Sequence, residues 1–211
     1  FEFKKYGQSG IEVSELFPHV GNMVDDLAVI RSCQGRSNDH VLAHYEWHTG
    51  SRLMGFPSVG SWVTYGLGSE NQNLPGFVVI YDKKGGPFSG PANWSSGFLP
   101  ATYQGTVFRA TGDPILDLKP PPEYVTPEQQ RARLDHLAFL NAEHAEKYPG
   151  SSELAARISA YELAYRMQTC APEAVDINKE TEQTKRLYGL DNSTTEPFGK
   201  QCLLARRLVE R

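Results

Sequence analysis

Leu27-Ala28-Val29-Ile30 is an uninterrupted apolar run, too short for a helix and β-branched at its end. Such a run suits a strand buried on both faces, as in a parallel sheet. A second run of the same kind, Gly76-Phe77-Val78-Val79-Ile80-Tyr81, is bounded by Pro75 and by Gly85-Gly86. Two helices are expected between them. Asn38 or Asp39 caps the first, which runs to Thr49 and is closed by Gly50. The second covers 59–67 and is closed by Gly68. Strand, helix, helix, strand predicts an α/β chain, mainly a parallel sheet with flanking helices, followed by a helical segment.

Working outward, 15–25 reads as a short helix. The 83–124 segment is rich in Gly, Pro and Ser, with one short strand at Thr106-Val107-Phe108. A connection of that length inside a domain is functional or covering. Composition shifts near Pro120-Pro121-Pro122, and most of the 19 glycines and 14 prolines lie before residue 126. Residues 1–125 are therefore read as the α/β part, and 126–211 as the helical part of the same domain. Thr126-Pro127-Glu128-Gln129 is a capping box with proline at the first helical position. Leu134, Leu137, Ala138, Ala145 and Tyr148 follow as an apolar stripe, and Pro149-Gly150 stops that helix. Ser151 or Ser152 caps the next, with Leu154, Ile158, Tyr161 and Tyr165 on one face. A shorter helix over 178–188 places Glu182 and Arg186 at i,i+4, and a last one begins near Pro197.

The 211 residues carry 21 basic and 25 acidic side chains, a net charge of −4. That balance argues against a nucleic-acid partner. No stretch approaches the ~18–20 apolar residues of a membrane span. Cys33, Cys170 and Cys202 are far apart, with no C-x-x-C spacing, so neither a disulfide framework nor a cysteine zinc site is signalled. The chain opens on Phe1-Glu2-Phe3 without a signal peptide and closes on Leu203 to Arg211, which reads as mid-helix. A piece of a longer protein is expected.

Chemistry concentrates in Asp39-His40-Val41-Leu42-Ala43-His44-Tyr45-Glu46-Trp47-His48-Thr49-Gly50. His40, His44 and His48 recur at i, i+4 and i+8 and share one helical stripe. Two histidines at that spacing can share a metal, but the metalloprotease pattern needs a Glu after the first His, where Val41 and Tyr45 stand. A half-buried face with hydrogen-bonded histidines explains the stripe equally well. His40 sits at the helix start, where free N–H groups favour an anion. Ser58 is at a second helix start, as a functional hydroxyl or an N-cap. Lys83-Lys84-Gly85-Gly86 lacks phosphate-loop spacing. Arg31, Arg36 and Arg109 are anion-holding candidates or solvated charges. His136 and His144 are expected to face water. The aromatic segment Trp94 to Tyr103 lines a pocket or packs.

Four stretches carry a resemblance: Ser14-Glu15-Leu16-Phe17 through Ile30-Arg31-Ser32; His48-Thr49-Gly50; Pro57-Ser58-Val59-Gly60-Ser61-Trp62-Val63 through Asn71; and Phe198-Gly199 through Arg211. Together they resemble a bacterial sulfatase-like domain-of-unknown-function family of the alkaline phosphatase superfamily. The resemblance implies an alkaline-phosphatase-like domain and metal-dependent hydrolysis of a phosphate or sulfate ester, on a small molecule or a glycan. Gly50 follows His40 at the spacing that superfamily uses between its nucleophile and its Thr-Gly. His40 thereby takes the nucleophile position, as nucleophile or metal ligand, with Asp39 as its orienting or metal partner. Arg36 and Ser58 are the implied substrate contacts. Divalent ions (Zn, Ca or Mg) are implied for the complete domain, with further ligands outside this chain, and so is export to the periplasm. His40 departs from the Ser, Thr or Cys usual there. That departure motivates the alternative, a non-catalytic glycan- or protein-binding module.

Overall fold

Strands β1 (Phe3–Tyr6) and β2 (Ile11–Ser14) form an antiparallel hairpin in register Phe3↔Ser14 to Tyr6↔Ile11. Its turn is closed by Gly7 and Gly10, both left-handed at φ 62° and 63°. The Asp25 carboxylate accepts from the Gln8 and Ser9 N–H groups at 2.7 and 2.9 Å, and these bonds hold its pKa below the usual value. The computed structural model describes residues 1–82, 85–109, 112–120 and 123–211. Lys83 and Lys84 of the phosphate-loop reading, and Pro121 and Pro122 of the composition change, lie outside them. The chain forms two compact units, Phe1–Arg36 and Ser37–Arg211.

Two expectations for the first unit are corrected. The helix expected over 15–25 shrinks to α1 (Pro18–Gly21) and a 3-10 turn at Val24–Asp26. Pro18 sets the start of α1, and residues 15–17 form the turn that leads out of β2, with the Phe17 N–H donating to the Ser14 carbonyl. Leu27–30 forms no strand; Leu27, Val29 and Ile30 are exposed. A short apolar run has no ladder of its own, and among the described residues no strand pairs with it.

The second unit opens with α2 (His40–Thr49). Asp39 caps it by accepting from the Leu42 N–H at 2.9 Å, and Gly50 ends it at φ 74°. Helix α3 (Val59–Leu67) ends at Gly68. Strand β3 (Val78–Ile80) pairs in parallel with β4 (Thr106–Phe108), Val79 opposite Val107. The 81–105 crossover between them carries 3-10 turns at Gly90–Trp94 and Ala101–Tyr103 rather than an α-helix. The expected mainly parallel, alkaline-phosphatase-like sheet is therefore corrected: the described residues hold two sheets of two strands each, in a chain that is 50% helical. The parallel pairing itself is present.

Helix α4 (Pro127–Lys147) starts with the expected capping box, Thr126 accepting from the Gln129 N–H while Gln129 accepts from the Thr126 N–H. Ser151 caps α5 (Ser152–Val175). The two helices are joined by a two-pronged ion pair, Arg131 Nη1 and Nη2 to Glu162 Oε2 and Oε1 at 3.1 and 2.8 Å, with the guanidinium over the Tyr165 ring. A short α6 (Glu182–Leu187) follows a 3-10 turn at Ile177–Lys179, and Glu182 pairs with Lys185. Helix α7 (Glu196–Val209) closes the chain. The core lies where β3, β4, α5 and α7 meet. It comprises Leu74, Phe108, Met167, Ala171 and Ala174, with Val78, Ile80 and Leu208 packed on it. Two long-range bonds tie the loop before β3 to this core's helices: Arg166 Nε donates to the Gln72 carbonyl, and Asn71 Nδ2 to the Arg211 carbonyl, both at 2.9 Å.

Candidate functional site

The histidine stripe of α2 faces the crossover. Phe88 stacks on His40, with ring centroids 5.3 Å apart, and lies 5.4 Å from His44. The Ser89 hydroxyl donates to the Val41 carbonyl at 2.6 Å. The Phe88 N–H donates to His44 Nδ1 at 3.3 Å, so the neutral His44 ring carries its proton on Nε2. His48 is the opposite tautomer. Its Nδ1 lies 2.7 Å from the His44 carbonyl oxygen and donates to it, which leaves the Nε2 lone pair free. One residue type on one stripe thus presents two different hydrogen-bonding ends.

Tyr45 anchors the helix beneath that stripe. It is 1% exposed, and its hydroxyl accepts from the Phe56 N–H at 2.8 Å and donates to the Phe56 carbonyl at 3.1 Å. This pins the 50–56 loop and sets where α3 begins. Ser58 occupies the N-cap position of α3 but makes no capping bond. Its hydroxyl meets that of Ser61 at 3.0 Å, and Ser61 gives its own proton to the Ser95 carbonyl at 3.0 Å. Ser58 is therefore the donor in the pair, and its lone pairs are unused. The Ser58 N–H also donates to the Ser95 carbonyl. Ser58 and Ser61 are both buried, so the paired hydroxyls lock the start of α3 to the crossover.

Next to them is a cavity of about 400 Å³, with β3 as its floor and walls that include His48, Ser58, Val59, Tyr81, Asn93 and Trp94. The Tyr81 and Trp94 rings stack at 5.7 Å and 20°. Asn93 is 2% exposed. Its Nδ2 donates to the Gly90 carbonyl at 3.0 Å, which fixes the orientation of the amide. Its Oδ1 is the one buried side-chain polar atom without a partner among the described residues. Buried polar atoms are almost always satisfied, which makes this unpaired acceptor a local oddity. Nothing in the local sequence around Asn93 singled it out, beyond its place in the long Gly/Pro/Ser-rich connection.

The predicted site residues separate. Asp39 spends one carboxylate oxygen on its cap, and His40 stands exposed against Phe88; neither lines the cavity. Arg36 belongs to the first unit and Ser58 to the second. Asp39 and His40 are two donors where a divalent ion takes four or more. Among the described residues no group of three or more His, Cys, Asp or Glu side chains could hold a metal. The further ligands that the resemblance implied lie outside this chain, so Asp39 and His40 alone make no complete metal site. Arg109 lies elsewhere, beside Asp113 and Lys200. His136 and His144 are exposed on α4. Of the 94–103 aromatics, Trp94 lines the cavity. Phe98 and Tyr103 pack edge-on against Trp62 and Tyr65 of α3.

Fold and site together define a helix-rich chain with an antiparallel hairpin, a small two-stranded parallel sheet and, beside that sheet, a cavity of mixed polar and aromatic character. The chain matches, over residues 1–211, the family described as protein of unknown function (DUF1501), and it belongs to that family. Nothing in that match links it to sulfatases or to the alkaline phosphatase superfamily, which corrects the resemblance drawn from the four stretches. No curated protein and no solved structure matches it. No helix among the described residues is long and apolar enough to cross a membrane.

Proposed function

We propose that this chain is a binding module that takes a small organic ligand in the cavity between α2, α3, β3 and the Gly90–Trp94 turn, without chemistry on it. The observation that carries this is the cavity's lining, in which His48, Ser58 and Asn93 stand among the apolar and aromatic side chains of Val59, Tyr81 and Trp94, the mixture of a small-molecule site. Hydrolysis has less support. Asp39 and His40 are not among the residues that line the cavity, and among the described residues its walls carry no carboxylate to activate a nucleophile. The test pairs binding with turnover on the full chain. Ligand-observed NMR against neutral sugars, amines and oxyanions should find one saturable class, lost in Val59→Trp, which blocks the cavity wall from an exposed position. Aryl phosphate and aryl sulfate with added Zn, Ca or Mg should release no product. Product release abolished by His40→Ala, or no saturable class at all, would overturn the proposal.

A further inference from the structure

We infer that the outward face of α3 is the interface of a homodimer, in which it packs against the same face of a second copy with the two helices crossing at Gly66. Residues 59, 62, 63, 66 and 67 fall at i, i+3, i+4, i+7 and i+8, the spacing of the apolar stripe that a helix normally turns to its core. In α3 that stripe faces solvent: Val59, Trp62, Val63 and Leu67 are all exposed, Leu67 at 85%. The opposite face holds only Gly60, Ser61 and Thr64, and that is the face that packs. Helix α3 lies against the 3-10 turns at Gly90–Trp94 and Ala101–Tyr103. Ser61 is fully buried, and a Cβ on Gly60 would strike the Phe77 ring. The helix is inside out, with small and polar side chains inward and large apolar ones outward.

The outward side chains form a continuous surface. Phe98 meets Trp62 edge-on at 5.7 Å, and Tyr65 meets Trp62 edge-on at 6.2 Å. At about 150–250 Å² for a whole large apolar side chain, the exposed fractions of Val59, Trp62, Val63, Tyr65, Leu67 and Phe98 amount to roughly 600 Å². That is the upper end of the about 300–600 Å² that a monomer leaves open. A homodimer interface buries about 800 Å² per partner and is about 65% apolar, so each copy must supply about 500 Å² of apolar surface. The face of α3 meets that requirement.

Charge and shape favour a second copy as the occupant. None of the nine residues of α3 is charged, so the face selects no partner of opposite sign and repels no twin. A helix that lies on a lipid surface carries Lys and Arg beside its apolar stripe, and α3 has neither. A two-fold axis lets one patch serve both sides. Gly66 fits that arrangement. It is helical and exposed, and nothing lies within 4 Å of where its Cβ would be. Alanine is the better helix former, so the missing Cβ weakens α3 and relieves no contact within the chain. In the middle of the stripe it lets a second backbone come close.

The experiment is analytical ultracentrifugation of the full chain over a dilution series. A dimer of two 23.5 kDa chains is expected, with a Kd of about 1 µM or tighter. Val63→Glu and Leu67→Glu set like charges against each other at exposed positions, and each should give a monomer with unchanged far-UV circular dichroism. Gly66→Ala should weaken the dimer about tenfold with the helix signal kept. A monomer across the whole series overturns the proposal. A monomer that binds phosphatidylcholine vesicles, and loses them in Leu67→Glu, also overturns it and makes a lipid surface the occupant. A dimer that survives both Glu variants overturns the face, and an unchanged Kd in Gly66→Ala overturns the close crossing. Leu67 is not among the residues that line the cavity, so loss of the dimer and loss of ligand binding are read separately.

Discussion

Truncating Arg207 to alanine should remove a large part of the stability of the second unit. Its guanidinium, 3% exposed, fastens the C-terminal half of α7 to the end of α5. Nε donates to the Ala174 carbonyl at 2.9 Å, and Nη2 to the Glu173 carbonyl at 2.7 Å and to Glu173 Oε1 at 3.2 Å. Nη1 donates to the Glu180 carboxylate. Alanine would leave the Ala174 carbonyl without its donor and the largely buried Glu180 without its cation, while the Glu173 carbonyl keeps the Asp176 N–H. Breaking a buried pair from one side costs about 3–5 kcal/mol. Glu173 is 46% exposed and regains water, so the lower end, about 3 kcal/mol, applies here. For a domain of this size that lowers Tm by roughly 6–12 °C. Urea unfolding followed by far-UV circular dichroism should show a lower midpoint with an unchanged slope. Arg207→Lys keeps the charge but not the fork, and should fall between the two. A loss in Arg207→Ala below about 1 kcal/mol, the size of a surface pair, would refute the reasoning.

Glu173 makes the same junction sensitive to acid. Hydrogen bonding from Arg211 holds its pKa down, from an ordinary 4.5 to about 2. A depressed carboxylate stabilises the fold above its unfolded-state value and ceases to as pH falls through the folded one. This contribution should therefore be lost between about pH 4.5 and 2, and the acid slope in that window should flatten in Glu173→Gln. Gly60→Ala drives a Cβ into the Phe77 ring; thermal melts should show a loss of about 1–3 kcal/mol from overpacking. Tyr45→Phe leaves the Phe56 N–H and carbonyl unpaired and should cost about 1–3 kcal/mol, with faster amide exchange across 50–56. Thr126→Ala removes one arm of the capping box and should cost about 1 kcal/mol, read as fraying at the start of α4.

The helices with chemical punctuation were legible from sequence: Asp39 and Gly50 around α2, Gly68 after α3, Thr126-Pro127 before α4, Ser151 before α5. A cap acts within three residues of its own position, so the information is local. Strand pairing is not local. Val78–Ile80 and Thr106–Phe108 were both read as strands, but 27–30 looked the same and found no partner. The α2 histidines were visible as a stripe, while their differing tautomers depend on Phe88 and on a helix carbonyl that spacing does not name. Asn93 was invisible because its oddity is an unmade bond, a property of the folded surroundings. Ser58 was marked for the right reason, a helix start, although its hydroxyl bonds Ser61 instead of the backbone.

The loop at Asn71-Gln72 bears on the order in which the chain folds. Its bonds to Arg166 and Arg211 span 94 and 140 residues, whereas the contacts joining α4 to α5 are closed by the short turn between them. Closing the larger rings costs more chain entropy before any contact repays it. The α4–α5 hairpin can therefore assemble early on its own. The packing of Leu208 on the core beside β3 forms only when α7 arrives. The core between Phe108, Met167 and Leu208 should accordingly close late in refolding, in step with the burial of Leu203 and Leu204 on α7 rather than with the recovery of helix content.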